Sequence, residues 1–325
     1  MEKAMQDRYE VVVVGGGAAG LSGALTLSRA RRSVLVVDAG SPRNAPADAM
    51  HAYLGRDGMP PAQLLAVGRG EVESYGGQVV TDEVVTARRK DGAGFEVMLA
   101  GGRLVRADRL LVTSGLVDEL PEVAGLAQRW GREVLHCPYC HGWEVRDEPI
   151  AVLSTSPLAV HQALLWRQWS KDVTLFTHTG PVLTDEQREQ LAARDITVVD
   201  GGVSQTVVRN DTLTGLRLED GRVIDCRAVV VTGRMSARAG FLAELGLEPA
   251  PLERDGYVFG THIPADSTGA TAVPGVWAAG NVTSPLDQVI MAAAGGARAA
   301  MAINTDLVDE ESRRALADRR GEVKA

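Results

Sequence analysis

Cys137 and Cys140 stand three residues apart in the run His136-Cys137-Pro138-Tyr139-Cys140-His141-Gly142. Two thiols at that spacing near a helix start can interconvert between dithiol and disulfide. A helix end or a neighbouring histidine lowers the pKa of one of them toward a nucleophilic thiolate. His141 follows the second cysteine directly, where an imidazole either shuttles protons to a thiol near neutral pH or only orders the turn. Other chemistries fit less well. Zinc wants four ligands, and Cys226 with the scattered histidines offers no second pair at ligand spacing, so no metal site is expected. The string C-x-x-C-H is also the attachment pattern of c-type haem. That chemistry belongs to exported proteins, and Met1–Arg8 lead into a strand without a signal-peptide core. Two inert buried thiols complete the alternatives. Cys226, inside a strand, reads as a buried structural thiol.

A glycine turn supplies a redox partner for such a dithiol. Gly15-Gly16-Gly17-Ala18-Ala19-Gly20 satisfies G-x-G-x-x-G between an apolar strand and an apolar helix containing Leu21, Ala24, Leu25 and Leu27. Gly15 permits the tight turn, Gly17 lets a pyrophosphate approach the backbone, and Gly20 allows close helix–strand contact. Ala18 and Ala19 open the helix whose free N–H groups and dipole favour phosphate. Asp38, followed by Ala39, ends the next strand 18 residues after Gly20. A carboxylate there accepts hydrogen bonds from ribose hydroxyls.

The elements that must hold these groups form two similar halves. Glu10–Val14 and Ser33–Asp38 bracket the first helix, and Pro149–Leu153 and Asp172–Phe176 bracket the second. Continuous Val/Ile/Leu runs are strands buried on both faces, as in parallel sheets flanked by helices. Gly102–Thr113 aligns without gaps on Gly221–Thr232, an offset of 119. Short alternating strands precede each copy, turning around Asp91–Gly94 and Asn210-Asp211. The fold class is therefore α/β with two Rossmann-like dinucleotide-binding domains, each carrying a small antiparallel meander. A strand Gly275–Gly280, a small-residue helix over 288–304 and a charged tail from Asp309 to Lys324, read as a solvated helix end, close the chain.

At 325 residues the chain has room for two domains. Its net charge of −8 disfavours nucleic acid. No apolar run approaches the ~18–20 residues of a membrane helix, and a cytoplasmic location is expected.

Together these motifs make the chain resemble the low-molecular-weight thioredoxin reductase family over nearly its whole length. The resemblance implies an FAD domain from residues 1–117 and 248–325. It also implies an inserted NAD(P)H-type domain, 118–247, carrying the dithiol, and a homodimer. It places Gly280 and Asn281 at the flavin's ribityl chain and the helix start at Gln288-Val289 toward the ring. The family usually has Asp at Asn281 and an acid at His141. Cys-Pro-Tyr-Cys also resembles a glutaredoxin motif, but that motif opens a small thioredoxin-like domain.

The second nucleotide turn departs further. Ser154-Thr155-Ser156-Pro157-Leu158-Ala159 replaces its first two glycines by serine, with Pro157 suited to the first helical turn. Thr177–Pro181 offers no arginine for a 2′-phosphate, so NADPH binding is doubtful. Cys-Pro-Tyr-Cys-His-Gly is similar to the flavin-dependent dithiol oxidases of gliotoxin and holomycin biosynthesis, which pass electrons to O2. That likeness implies a small-molecule dithiol substrate and a cleft lined by Arg43, Asn44 and His51. The rival reading is a disulfide reductase acting on thioredoxin or a small disulfide, fed by NADPH or by ferredoxin. A non-enzymatic redox sensor is the third.

Overall fold

The computed structural model describes residues 5–90 and 94–321. Three residues of the expected turn, Asp91, Gly92 and Ala93, lie outside the described residues, as does the end of the tail.

The first sheet runs Gln78–Thr81, Val34–Asp38, Arg8–Val14, Leu104–Val112 in parallel, with Val276–Ala278 also joined to Leu104–Val112. Leu104–Val112 serves two partners on that edge. Its first half pairs antiparallel with Phe95–Leu99, which pairs with Val84–Arg89. Its second half pairs with Val276–Ala278. Alternate side chains of the central strand face opposite layers, as the two-residue period requires. Val11 and Val13 meet Leu21, Ala24, Leu27, Ala299 and Ile303 of two helices, Ala18–Arg29 and Val289–Arg320. Val12 and Val14 meet Val84, Phe95, Val97 and Leu242. The strand is buried on both faces, as its composition predicts: the two long helices cover one, and the meander with the short helix Gly240–Leu245 covers the other.

The second sheet repeats the plan. Thr197–Val199, Val173–Phe176, Ile150–Leu153, Ala228–Val231 and Val134–Leu135 are parallel. A three-stranded meander, Val203–Arg209, Thr212–Leu218 and Val223–Asp225, lies beside them. Its first and third strands begin 119 residues after Val84 and Leu104. The return strand differs: unbroken in the first half, it is interrupted in the second at Cys226 and Arg227.

The chain leaves the first unit through Leu116–Glu119 and returns through Arg234–Ala237, and these two strands pair with each other. Ala239, Leu242 and Leu247 bury against the first sheet's core. The C-terminal helix also differs from expectation. It runs unbroken over Val289–Arg320, and its charged part is anchored: Arg109 pairs with Asp306 and Glu310, and Arg32 with Glu311. The helix end expected over the tail is present, but ion pairs to Arg109 in the sheet and to Arg32 just ahead of Val34–Asp38 tie it down where only solvation was expected.

Candidate active site

A single cleft of about 550 Å³ gathers most of the residues singled out by sequence. Its walls include Gly15, Gly17, Ala18, Ala19, Asp38, Ala39, Arg43, Asn44, His51, Cys140, His141, Asn281, Gln288 and Val289. Gly20, Gly280 and Cys137 adjoin wall residues in the chain without lining the cleft.

The glycine turn has the form a dinucleotide needs. Gly15 adopts φ +104°, closed to other residues without strain. Around Gly17 the space where a Cβ would stand is empty, leaving the backbone approachable. The turn is tied from below by Thr113, whose Oγ1 donates to the carbonyls of Val14 and Gly15, each at 2.9 Å. The helix Ala18–Arg29 starts here with no side-chain cap and no acid in its first turn. Val289–Arg320 reaches the same cleft equally uncapped. Two helix N-termini with free N–H groups make a donor set suited to a pyrophosphate and an electron-rich ring. Gly23 and Gly296 let these helices touch: a Cβ on Gly23 would stand 3.1 Å from the Gly296 carbonyl oxygen.

Asp38 is buried, accepts the Gly40 N–H at 3.1 Å and pairs with Arg69. Sequence reading missed Arg69, which reaches Asp38 from another helix and carries no local signal. It also passed over Gly16, whose Cβ would stand 2.6 Å from Asp38 Cγ. The run of three glycines was the available clue.

Cys137 and Cys140 form a disulfide with Cα atoms 5.3 Å apart. The helix behind them, Pro138–His141, is a single turn, so its dipole is a minor influence. A nearer donor is Gln288 at the start of the long helix, whose Nε2 lies 3.8 Å from Cys140 Sγ. Both ring nitrogens of His141 are buried without a hydrogen-bond partner among the described residues. Burial lowers its pKa, opposed by Glu144 and aided by His51. A neutral imidazole with an open partner position, beside the sulfur that faces the cleft, is equipped to take a proton from an incoming thiol. Asp287 also lines this wall, and burial raises its pKa. It was not foreseen.

Arg43, His51 and Asn281 are placed in the cleft wall but engaged with the protein. Arg43 grips both oxygens of Asp118, at 2.7 and 2.6 Å. His51 lies 3.3 Å from Glu144 and 3.5 Å from Asp57. Asn281 donates Nδ2 to the carbonyls of Ser284, Pro285 and Asp287, which an aspartate cannot do. That is a physical reason for the amide here. Asn44 lines the cleft beside them. Cys226 is free and buried, its thiol pushed up to about 12 chiefly by desolvation. Among the described residues no cluster could hold a metal ion.

Comparison with known proteins agrees with this geometry. The family model of pyridine nucleotide-disulphide oxidoreductases matches residues 9–300. "Thioredoxin reductase sirT" of Leptosphaeria maculans is 31% identical over 91% of this chain and 93% of its own. The crystal structure of HlmI superposes with a TM-score of 0.90 at 46% identity, covering 98% of this chain and 99% of that one. The oxidoreductase of Agrobacterium tumefaciens gives 0.86 at 34%, covering 93% and 99%. The chain belongs to the pyridine nucleotide-disulphide oxidoreductase family, as a thioredoxin reductase-like enzyme of thiol–disulfide exchange among FAD flavoproteins.

Proposed function

We propose that the protein oxidises a small-molecule dithiol to a disulfide, using FAD and passing the electrons to O2 with formation of H2O2. The observation that carries this reading is a contrast between the two nucleotide turns. The first opens onto the cleft that holds the disulfide. The second is closed by its own side chains: Ser154 and Ser156 are 1% and 3% exposed. Ser156 Oγ accepts the Leu158 N–H at 3.3 Å, a helix-start donor that a phosphate would otherwise take, and lies 3.3 Å from Thr232 Oγ1. The helix begins only at Ala159, so Pro157 lies in the turn before it and not in its first turn. His178 accepts the Val203 N–H at 3.0 Å where an arginine would serve a 2′-phosphate. NADPH is therefore proposed not to serve as reductant.

In this scheme a substrate thiolate attacks Cys137, forming a mixed disulfide and releasing Cys140 as a thiolate. The second substrate thiol, its proton taken by His141, displaces Cys137. The substrate leaves as a disulfide, and the enzyme keeps Cys140 as a thiolate and Cys137 as a thiol that takes the proton from His141. Cys137 and Cys140 then close their disulfide again, and FAD, when bound, would supply the acceptor for the two electrons released, which pass with two protons to O2. Gln288 holds the Cys140 sulfur toward the cleft, and the free N–H groups of both helices would hold the cofactor. A homodimer, resting on family likeness, and a cytoplasmic location, resting on composition and cysteine usage, belong to the same proposal.

The test is O2 uptake by purified enzyme with dithiothreitol and no nicotinamide, with anaerobic bleaching of the flavin as the half-reaction. Flavin that stays oxidised under dithiol would overturn the reading. Rapid bleaching by NADPH would instead support the disulfide reductase acting on thioredoxin.

A further inference from the structure

We propose that Arg43 is a latch between the two units, a positioning residue that keeps the disulfide seated on the cofactor cleft and admits small thiols in preference to protein thiols. The inference rests on the dithiol oxidation proposed above and names the class of substrate its site can take.

One guanidinium touches several of the segments that meet between the two units. It grips Asp118 in the outgoing strand with two hydrogen bonds. It lies 3.7 Å from the Met235 sulfur in the returning strand. It stands 3.4 Å from His136 Nε2, immediately before the disulfide. Back in the first unit it donates to the Pro285 carbonyl at 3.0 Å and to Asn281 Oδ1 at 3.4 Å. The pair is largely removed from water, the Arg43 and Asp118 side chains being 18% and 9% exposed. A forked, desolvated arginine–carboxylate pair is directional and costly to break.

Two neighbours reinforce the hold. Pro46 presses on the second unit so closely that its Cβ would lie 2.8 Å from a Cβ on Gly131. His51 faces Glu144, three residues beyond His141. The segment 43–51 thus crosses to the disulfide-bearing unit at three points. Behind this strap both cysteines are half-buried. A dithiol small enough to enter the cleft can reach them, whereas a folded protein needs the unit to swing out.

The test compares wild type, Arg43→Gln and Asp118→Asn, which break the same pair from opposite ends. Far-UV circular dichroism and flavin content establish folding for each. Hydrogen exchange of the amides over 134–141 is read without substrate, and capture of a monothiol thioredoxin as a mixed disulfide is read by mass. In both variants we expect exchange and capture to rise about tenfold or more, while anaerobic flavin reduction by dithiothreitol slows by about tenfold. Wild-type exchange and capture in a folded variant would overturn the latch, as would wild-type protein that already captures thioredoxin as fast as the variants. Equal slowing toward both thiols would also overturn it, since a merely structural role predicts that. Failure of dithiothreitol to reduce wild-type flavin sinks the proposed function instead, and exchange and capture still decide the latch.

Discussion

Gln288 Nε2 lies 3.8 Å from the Cys140 sulfur, so the residue that opens the 32-residue helix also directs its side-chain amide at the disulfide. An N–H directed at sulfur stabilises the thiolate over the thiol. Gln288→Leu is expected to raise the pH at which the reduced enzyme forms its thiolate by about one unit. The readout is the pH dependence of thiolate absorbance under anaerobic dithiol, with flavin content unchanged. No shift would show that the amide does not tune the sulfur.

Loss of the His141 imidazole should affect proton transfer more than binding. His141→Gln is expected to lower kcat by about 10²–10⁴, the usual span for a general base, with a smaller change in KM for dithiothreitol. Burial lowers the His141 pKa, so its neutral form persists below the usual histidine range. The acid limb of the wild-type profile should therefore fall below about pH 6.5 and vanish in the variant. A profile that keeps the limb assigns it elsewhere.

Asn281→Asp places a carboxylate against three carbonyls that now accept from Nδ2. The expected cost is about 1–3 kcal/mol of stability in urea unfolding. A neutral result would mean that the loop is held without this side chain.

His136 makes stability depend on pH. Desolvation, with Arg43 beside it, lowers its pKa to about 4. The ring is stacked on Trp130 with centroids 5.5 Å apart, near Asp118 and His141. Between the ordinary value near 6.5 and about 4, the unfolded chain binds a proton that the folded one refuses. Stability is thus full above pH 6.5 and declines as the pH falls through that window, by on the order of 1–3 kcal/mol for this group. Urea midpoints of wild type and His136→Phe between pH 7 and pH 4.5 should converge toward the acid end.

Cys226 should be inert. With its thiol near 12 and its side chain buried, iodoacetamide should label only Cys137 and Cys140 in reduced, folded protein. Labelling of Cys226 without denaturant would contradict that burial.

The parts of the molecule legible in the sequence are those whose signal is local. The glycine turn, the strand ending in Asp38 and the dithiol each announce themselves within a few residues. The offset of 119 also exposed Thr113 and Thr232 as counterparts, and both meet the glycine or serine turn of their own half. What escaped depends on distant segments. Arg43 and His51 were expected to line a substrate cleft and do border it, but their polar atoms are taken by Asp118 and Glu144. Arg69 reached Asp38, and Glu310 reached Arg109, from helices whose orientation no neighbouring residue encodes. The second meander was visible by alternation, whereas the break at Cys226 was not, because the aligned copy runs straight through.

The strand Leu104–Val112 has a consequence for assembly, because one of its edges waits for Val276–Ala278, made far later in the chain. Residues 134–231 contain a whole parallel sheet with its meander and can close while the polypeptide is still emerging. The strand Val276–Ala278, and the helix start at Gln288, arrive only afterwards. Cofactor loading is therefore a late event after translation, and C-terminally shortened chains should retain a folded middle that stays colourless.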